Sequence, residues 1–370
     1  MSNIMQKASN QLFSRPTDES YDSMEAIVEA LESRERNSIE VNVNRDALNV
    51  VSSMGSLCMH DPKSDTEFGL NEWSFSQLCQ NSRVPKAIVN TLTSETAARV
   101  LNERKRFYKS GNGKLLAQQG ANGLTTRALY SESYARVPDL DVLTKVKDIS
   151  NEGGFMPGGH IAGKSGVGIS AEQATLMGIR KASGLYLGER DIFLFMISPA
   201  QTPVEGEDFY LGFFAENSEV KDGCLELTTY ACDGVCANHM IWGARDEQKT
   251  RWVHRGDPNR IMFEFEMRLH KQVRSGQLQD ELYQVVSSAK KQLFARDEDG
   301  VRTRLTGFGF PNAASEFSIK YSKNRFDDEW NNTFGVASGL TCYSQTRWNQ
   351  DDRVGLDKKV GDMVSELCLN

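Results

Sequence analysis

Three groupings of side chains in this sequence are able to do chemistry. The first is Cys232, Cys236 and His239, with Cys224 upstream, inside FYLGFFAENSEVKDGCLELTTYACDGVCANHMIWG (residues 209–243). Thiolates and an imidazole this close together suit a tetrahedral zinc ion, but a structural zinc site normally draws a second ligand pair from elsewhere at short spacing, and none follows. Buried cysteines packing as small hydrophobes on a strand account for the same residues. Cys236 acting as a nucleophile with His239 as its base is disfavoured by strand geometry, because residues three apart point to opposite faces.

The second grouping, Gly158-Gly159-His160-Ile161-Ala162-Gly163-Lys164-Ser165, fits the G-x-x-x-x-G-K-[ST] pattern in which backbone amides cradle phosphates. That chemistry needs a buried strand running into the loop and a helix leaving the Lys-Ser pair. The preceding KDISNEGGFMP lacks a strand-like apolar run, and Gly166 and Gly168 oppose an immediate helix. A flexible glycine-rich loop is the competing reading of Gly158, Gly163, Lys164 and Ser165. The third grouping is basic and aromatic: ARVLNERKRFYKSGNGKLL carries Arg99, Arg104, Lys105, Arg106, Lys109 and Lys114 against Glu103, with Phe107 and Tyr108 interleaved. Cations at this density can follow a phosphate backbone while a ring stacks on unpaired bases. Arg127 and Arg136 extend the set into the next hairpin. A solvated helix end with its rings turned inward is the alternative.

These groups are positioned by elements whose periodicity is readable. Tyr21–Arg34 places Met24, Ile27, Val28 and Leu31 on one helical stripe, and Ser38–Asn44 alternates as a half-buried strand. Trp73–Ser110 is helical in pattern, with Ser74, Pro85 and Ser94 at helix starts. Asn122-Gly123 marks a hairpin between Lys114–Gln119 and Leu124–Tyr130, because both residues accept positive φ. A second hairpin spans Phe209–Cys232 around Lys221-Asp222-Gly223, with Ile192–Ile197 as its neighbour. Beyond Trp252 the pattern returns to helix, where Ile261, Phe265 and Leu269, then Leu278, Leu282, Val285, Ala289 and Leu293, repeat at helical spacing.

Composition bounds what these elements can be. The chain of 370 residues is 39% hydrophobic and 25% charged, which excludes wholesale disorder. No window is apolar enough to span a bilayer, and MSNIMQKASNQLFSRPTDES lacks the core of a signal peptide, so no membrane partner and a cytoplasmic location are expected. Seven scattered cysteines in a chain this large read as reduced thiols. A net charge of −7 excludes a wholly basic surface but leaves room for a local patch.

Four blocks resemble the phage/plasmid-like proteins, a family encoded by mobile elements: WSFSQLCQNSRVPKAIVNTL, LTTRALYSESYARVPDLDVL, GFFAENSEVKDGCLELTTYACDGVCANHMIWG and EWNNTFGVASGLTCYSQ. The likeness runs from Ser38 to Gln345 and departs from the family at Ala237 and His239. It implies a mobile-element setting, in which cytosolic proteins without catalytic constellations often handle the element's own DNA or RNA.

The sequence therefore predicts an α+β protein: one mainly antiparallel sheet with helices packed on it, plus a helical C-terminal part. Residues 1–36 are expected as a helical appendage or oligomer contact, 37–300 as the core, and 301–370 as helices packing on it. The expected function is non-catalytic binding or annealing of single-stranded nucleic acid, with Arg104, Lys105, Arg106, Lys109, Lys114, Arg127 and Arg136 on phosphates and Tyr108 stacking, and with no cofactor. The alternatives are a nucleotide-binding enzyme at Gly158–Ser165 and an assembly or host-interaction protein. Asn217, Ser218, Glu219 and Asn238 are expected to hold turns and sheet edges.

Overall fold

Strand-period and helix-period segments alternate along the chain, and the strands sort into two sheets. A computed structural model describes residues 19, 21, 23–105, 111–157, 185–233, 239–240, 249–274, 277–344, 346–347 and 350–368. The N-terminal half runs α1 (Met24–Arg36), β1 (Ser38–Asn44), β2 (Asn49–Ser53), β3 (Ser56–Asp61), β4 (Thr66–Leu70), α2 (Glu72–Asn81), α3 (Lys86–Val89), α4 (Ser94–Lys105), β5 (Asn112–Gly120), β6 (Gly123–Ser131) and α5 (Asp139–Gly153). Its strands form a six-stranded sheet ordered β1-β5-β6-β4-β3-β2. Neighbours are antiparallel except β4 and β6, which run parallel.

The second half contributes β7 (Met156–Pro157), β8 (Leu185–Leu187), β9 (Ile192–Val204), β10 (Glu207–Asn217), β11 (Leu225–Asp233), β12 (His239–Met240) and β13 (Lys249–Trp252). They form a seven-stranded antiparallel sheet ordered β12-β11-β10-β9-β7, with β13 on β11 and β8 on β9. Helices α6 (Pro258–Arg274), α7 (Gln277–Lys291), α8 (Glu298–Gly307), α9 (Asn312–Phe326), α10 (Thr333–Ser344) and α11 (Gln350–Cys368) complete the chain. This is an α+β fold with a helical C-terminal part. Among the described residues no helix is long and apolar enough to cross a membrane.

The expected single sheet is thus two. Alternation sets which face a strand buries, but not which strand it pairs with. The missed strands β2 and β3 meet at Met54-Gly55, where φ is 49° and 79°. Two successive positive φ values make the hairpin turn usually signalled by Asn-Gly, so a methionine there conceals it.

Each sheet buries one face under helices. On the first, Val50, Leu78, Ala98 and Leu101 join β2 to α2 and α4. On the second, Leu194, Phe213 and Leu225 pack against α1, α5 and α6 through Ile27, Leu31, Val146 and Phe265. The N-terminal helix is therefore packed into this core, where an appendage was expected. The five C-terminal helices bury a further cluster against Val204, Phe209 and Leu211. Phe193, Phe195, Phe214 and Tyr230 line the other face of the second sheet as stacked rings.

Tyr230 lies across Gly212, and its hydroxyl donates to the Met196 carbonyl at 2.8 Å. A Cβ on Gly212 would overlap that ring and sit 2.6 Å from the same carbonyl oxygen. We expect Gly212→Ala to destabilise the protein by about 1–3 kcal/mol, the range for overpacking a full core, measured by urea unfolding.

Candidate functional site

The two sheets meet at a buried polar cluster that the alternation of β6 does not forecast. Leu116 pairs with Ala128 and Ala117 with Thr126, so Arg127 is the extra residue of a β-bulge. A bulge re-aims a side chain out of the strict alternation. Arg127 turns toward the end of β10, where its Nη1 lies 2.6 Å from Glu219 Oε1. The other carboxylate oxygen receives Arg136, through Nη2 at 2.6 Å and Nε at 3.1 Å. Arg136 also grips Glu35 of α1, and Tyr130 donates its hydroxyl to the Glu219 carbonyl.

The cluster continues as a hydrogen-bonded chain. The Asn217 amide donates to the Val137 carbonyl at 3.0 Å and to Asp139 Oδ1 at 2.7 Å, which leaves its oxygen as an acceptor for His254 Nε2 at 3.0 Å. The proton therefore sits on Nε2, and the bare Nδ1 accepts from Tyr134 at 2.6 Å. Burial lowers the His254 pKa to about 4. Burial raises both tyrosines, so the phenols stay protonated. Burial alone would raise Glu219, but Arg127 and Arg136 outweigh it and hold the carboxyl below its ordinary value. Asp139 is raised by burial and by Glu219, against Arg34 and Arg127. The ionised and neutral groups are locked in place, which is the chemistry of a joint. Asn217, Ser218 and Glu219 hold this joint together; Asn238 lies outside the described residues.

This corrects the expected phosphate track. Arg127 is 4% exposed and, with Arg136, is committed to Glu219, so neither is free to follow a phosphate backbone. Runs of charge normally face water, and the bulge is what turns Arg127 inward. Arg104 reaches the Ser82 carbonyl at 3.5 Å, and Lys114 pairs with Glu40 at 2.8 Å. Lys105 is the last residue of α4, and Arg106, Tyr108 and Lys109 lie outside the described residues. Gly158, Gly163, Lys164 and Ser165 lie outside them too; the strand leading to Gly158 is the two-residue β7, antiparallel to β9. Backbone register sets Cys232 opposite His239 on β11 and β12, while Cys236 falls outside. No group of three or more His, Cys, Asp or Glu able to hold a metal occurs among the described residues.

Basic side chains do converge elsewhere. A cavity of about 480 Å³ opens between the first sheet and helices α2 and α4, and Arg45, Arg83, Lys114 and Lys221 line it without any Asp or Glu. Arg45 is held by the Tyr130 carbonyl at 2.6 Å. Lys221 arrives from the second sheet: Trp73 Nε1 and Gln77 Nε2 bind the Val220 carbonyl at 2.9 and 3.1 Å, beside the clamped Glu219. Partial desolvation by the surrounding protein, and then Arg45, lower the Lys221 pKa. The Arg83 and Lys221 side chains have no hydrogen bond or ion pair among the described residues. Both sit at positive φ, 50° and 71°, where glycine would be the cheaper residue. A second hollow of about 440 Å³ shares Lys114 but mixes Glu40 and Glu132 with Arg136 and Arg255, so it presents no single sign. Arg45, Arg83 and Lys221 are isolated basic residues at element ends, and a search for runs of charge passes over them.

Comparison with protein-family models, curated proteins and solved structures gave no match.

The joint makes stability pH-dependent. The unfolded chain takes up a proton at His254 near its ordinary 6.5, which the folded chain refuses until about 4. The stability tied to the neutral imidazole is therefore complete above about pH 6.5 and lost as pH falls to about 4, roughly 3 kcal/mol in all. Glu219, lowered in the fold, adds loss in the same acid direction, whereas Asp139, raised, opposes it. Urea unfolding at stepped pH should show this fall, and His254→Gln should flatten it.

Proposed function

We propose that this protein binds single-stranded nucleic acid without catalysis, holding phosphates at the cationic rim of the cavity between the first sheet and helices α2 and α4. The observation that carries the reading is the convergence of Arg45, Arg83, Lys114 and Lys221 on one cavity with no carboxylate among its lining residues, in a chain of net charge −7. Lys114 is paired with Glu40, but Arg45, Arg83 and Lys221 repel one another at the rim, which an anionic ligand relieves. A polyanion with regularly spaced phosphates engages several of them at once and gains further from released counterions.

The rest of the basic set supports the same place. Leu101 of α4 and Lys114 of β5, the elements on either side of the basic segment in sequence, both line the cavity. The resemblance to phage/plasmid-like proteins adds a setting, a mobile element whose own strands are exposed during copying or recombination. A single strand is favoured over a duplex because the rim surrounds an apolar recess, which paired and stacked bases cannot enter.

Fluorescence anisotropy with a labelled single-stranded oligonucleotide at low salt is the test. Binding at micromolar protein is expected. Arg83→Ala with Lys221→Ala, both exposed side chains without internal partners among the described residues, should weaken it about tenfold and reduce the salt slope by about 1.4, roughly 0.7 per lost phosphate contact. Absence of binding at micromolar protein contradicts the proposal.

A further inference from the structure

We infer that the cavity behind the cationic rim receives a nucleobase, unstacked from the bound strand, so that affinity comes from base and phosphate together. This rests on the reading of the rim as a phosphate site and goes beyond it by assigning the interior.

The interior differs in kind from the rim. Its walls are aliphatic: Val43, Val50, Met59, Leu78, Leu115 and Leu129. Two exposed amides, Gln80 and Asn81, stand at its mouth among the lining residues, and neither side chain makes a hydrogen bond among the described residues. An apolar recess with a few polar groups able both to donate and to accept suits a flat heterocycle carrying ring nitrogens and exocyclic groups. The volume of about 480 Å³ falls within the range of small-molecule pockets, about 300–1,000 Å³. A hydrocarbon chain would fill the walls but leave the amides unused, and inorganic phosphate would use the cations but leave the walls empty. A base on a phosphate backbone uses all three.

Sequence tolerance follows from the walls. Aliphatic side chains contact the faces of any base, and glutamine and asparagine amides can each present either a donor or an acceptor to its edge. The protein is therefore expected to bind strands of mixed sequence, with bases splayed where the strand crosses the rim, as in other single-strand recognition.

The experiment compares two strands of equal length on the native protein, one with bases and one abasic throughout, so that phosphate spacing is the same and only the bases differ. The base-containing strand is expected to bind roughly tenfold more tightly or better, with the same salt slope. Equal affinity and equal slope would overturn the base pocket while leaving the phosphate rim standing. Failure of both strands to bind would overturn the rim, and the pocket with it. Leu129→Trp, which fills the cavity from its half-buried wall position, should remove the preference for bases and keep the affinity for the abasic strand. Cooperative thermal unfolding checks that this variant is folded. A preference that survives in the folded variant would also overturn the pocket.

Discussion

The structure depends on one buried carboxylate held between two guanidinium groups. Glu219 is 1% exposed, and Arg127 and Arg136 occupy its two oxygens. Taking these charges out of water is costly, and removing one partner from a buried pair typically costs about 3–5 kcal/mol because the other is left uncompensated. Arg127 comes from the first sheet, Glu219 from the end of a strand in the second, and Glu35 of α1 closes the far side through Arg136. The docking of the two sheets satisfies these charges together.

That docking fixes the course of the chain two residues further on. With Glu219 clamped and the Val220 carbonyl bound by Trp73 and Gln77, the chain must turn at Lys221, which it does at positive φ. The turn carries Lys221 from the second sheet to the rim of a cavity walled by the first. Arg83 reaches the same rim from the C-terminal end of α2, again at positive φ, in the place where helices commonly end on glycine. Strain of this kind persists where the surroundings over-determine it. Both residues add charge to the rim that a glycine would not.

Local signals in the sequence located many elements and left their association unresolved. The hairpin signalled by Asn122-Gly123, which closes around Ala121-Asn122 with Gly123 at positive φ, the Phe209–Cys232 hairpin, the helix opening at Pro258 and the stripe of Ile27 and Leu31 all correspond to observed elements, because turn chemistry and periodicity are properties of short segments. The division into two sheets, the parallel pairing of β4 with β6 and the bulge at Arg127 are set by contacts between segments far apart in the chain. The same limit decided the reading of charge. Arg127 and Arg136 looked like part of a basic track because charged residues are usually solvated, and only the partner Glu219, 92 residues from Arg127, moves them inside. Arg45, Arg83 and Lys221 were invisible for the converse reason: each is single in sequence, and they are gathered only by the fold.

If the clamp at Glu219 builds the proposed nucleic-acid site on the cavity rim, a bound strand must lie there. A bromodeoxyuridine-substituted single strand can be crosslinked to the protein with ultraviolet light and the adducts placed by mass spectrometry. Adducts are expected on peptides carrying Arg83, Lys114 or Lys221, the cations around the cavity. Adducts confined to the C-terminal helices, Glu298–Cys368, would contradict it.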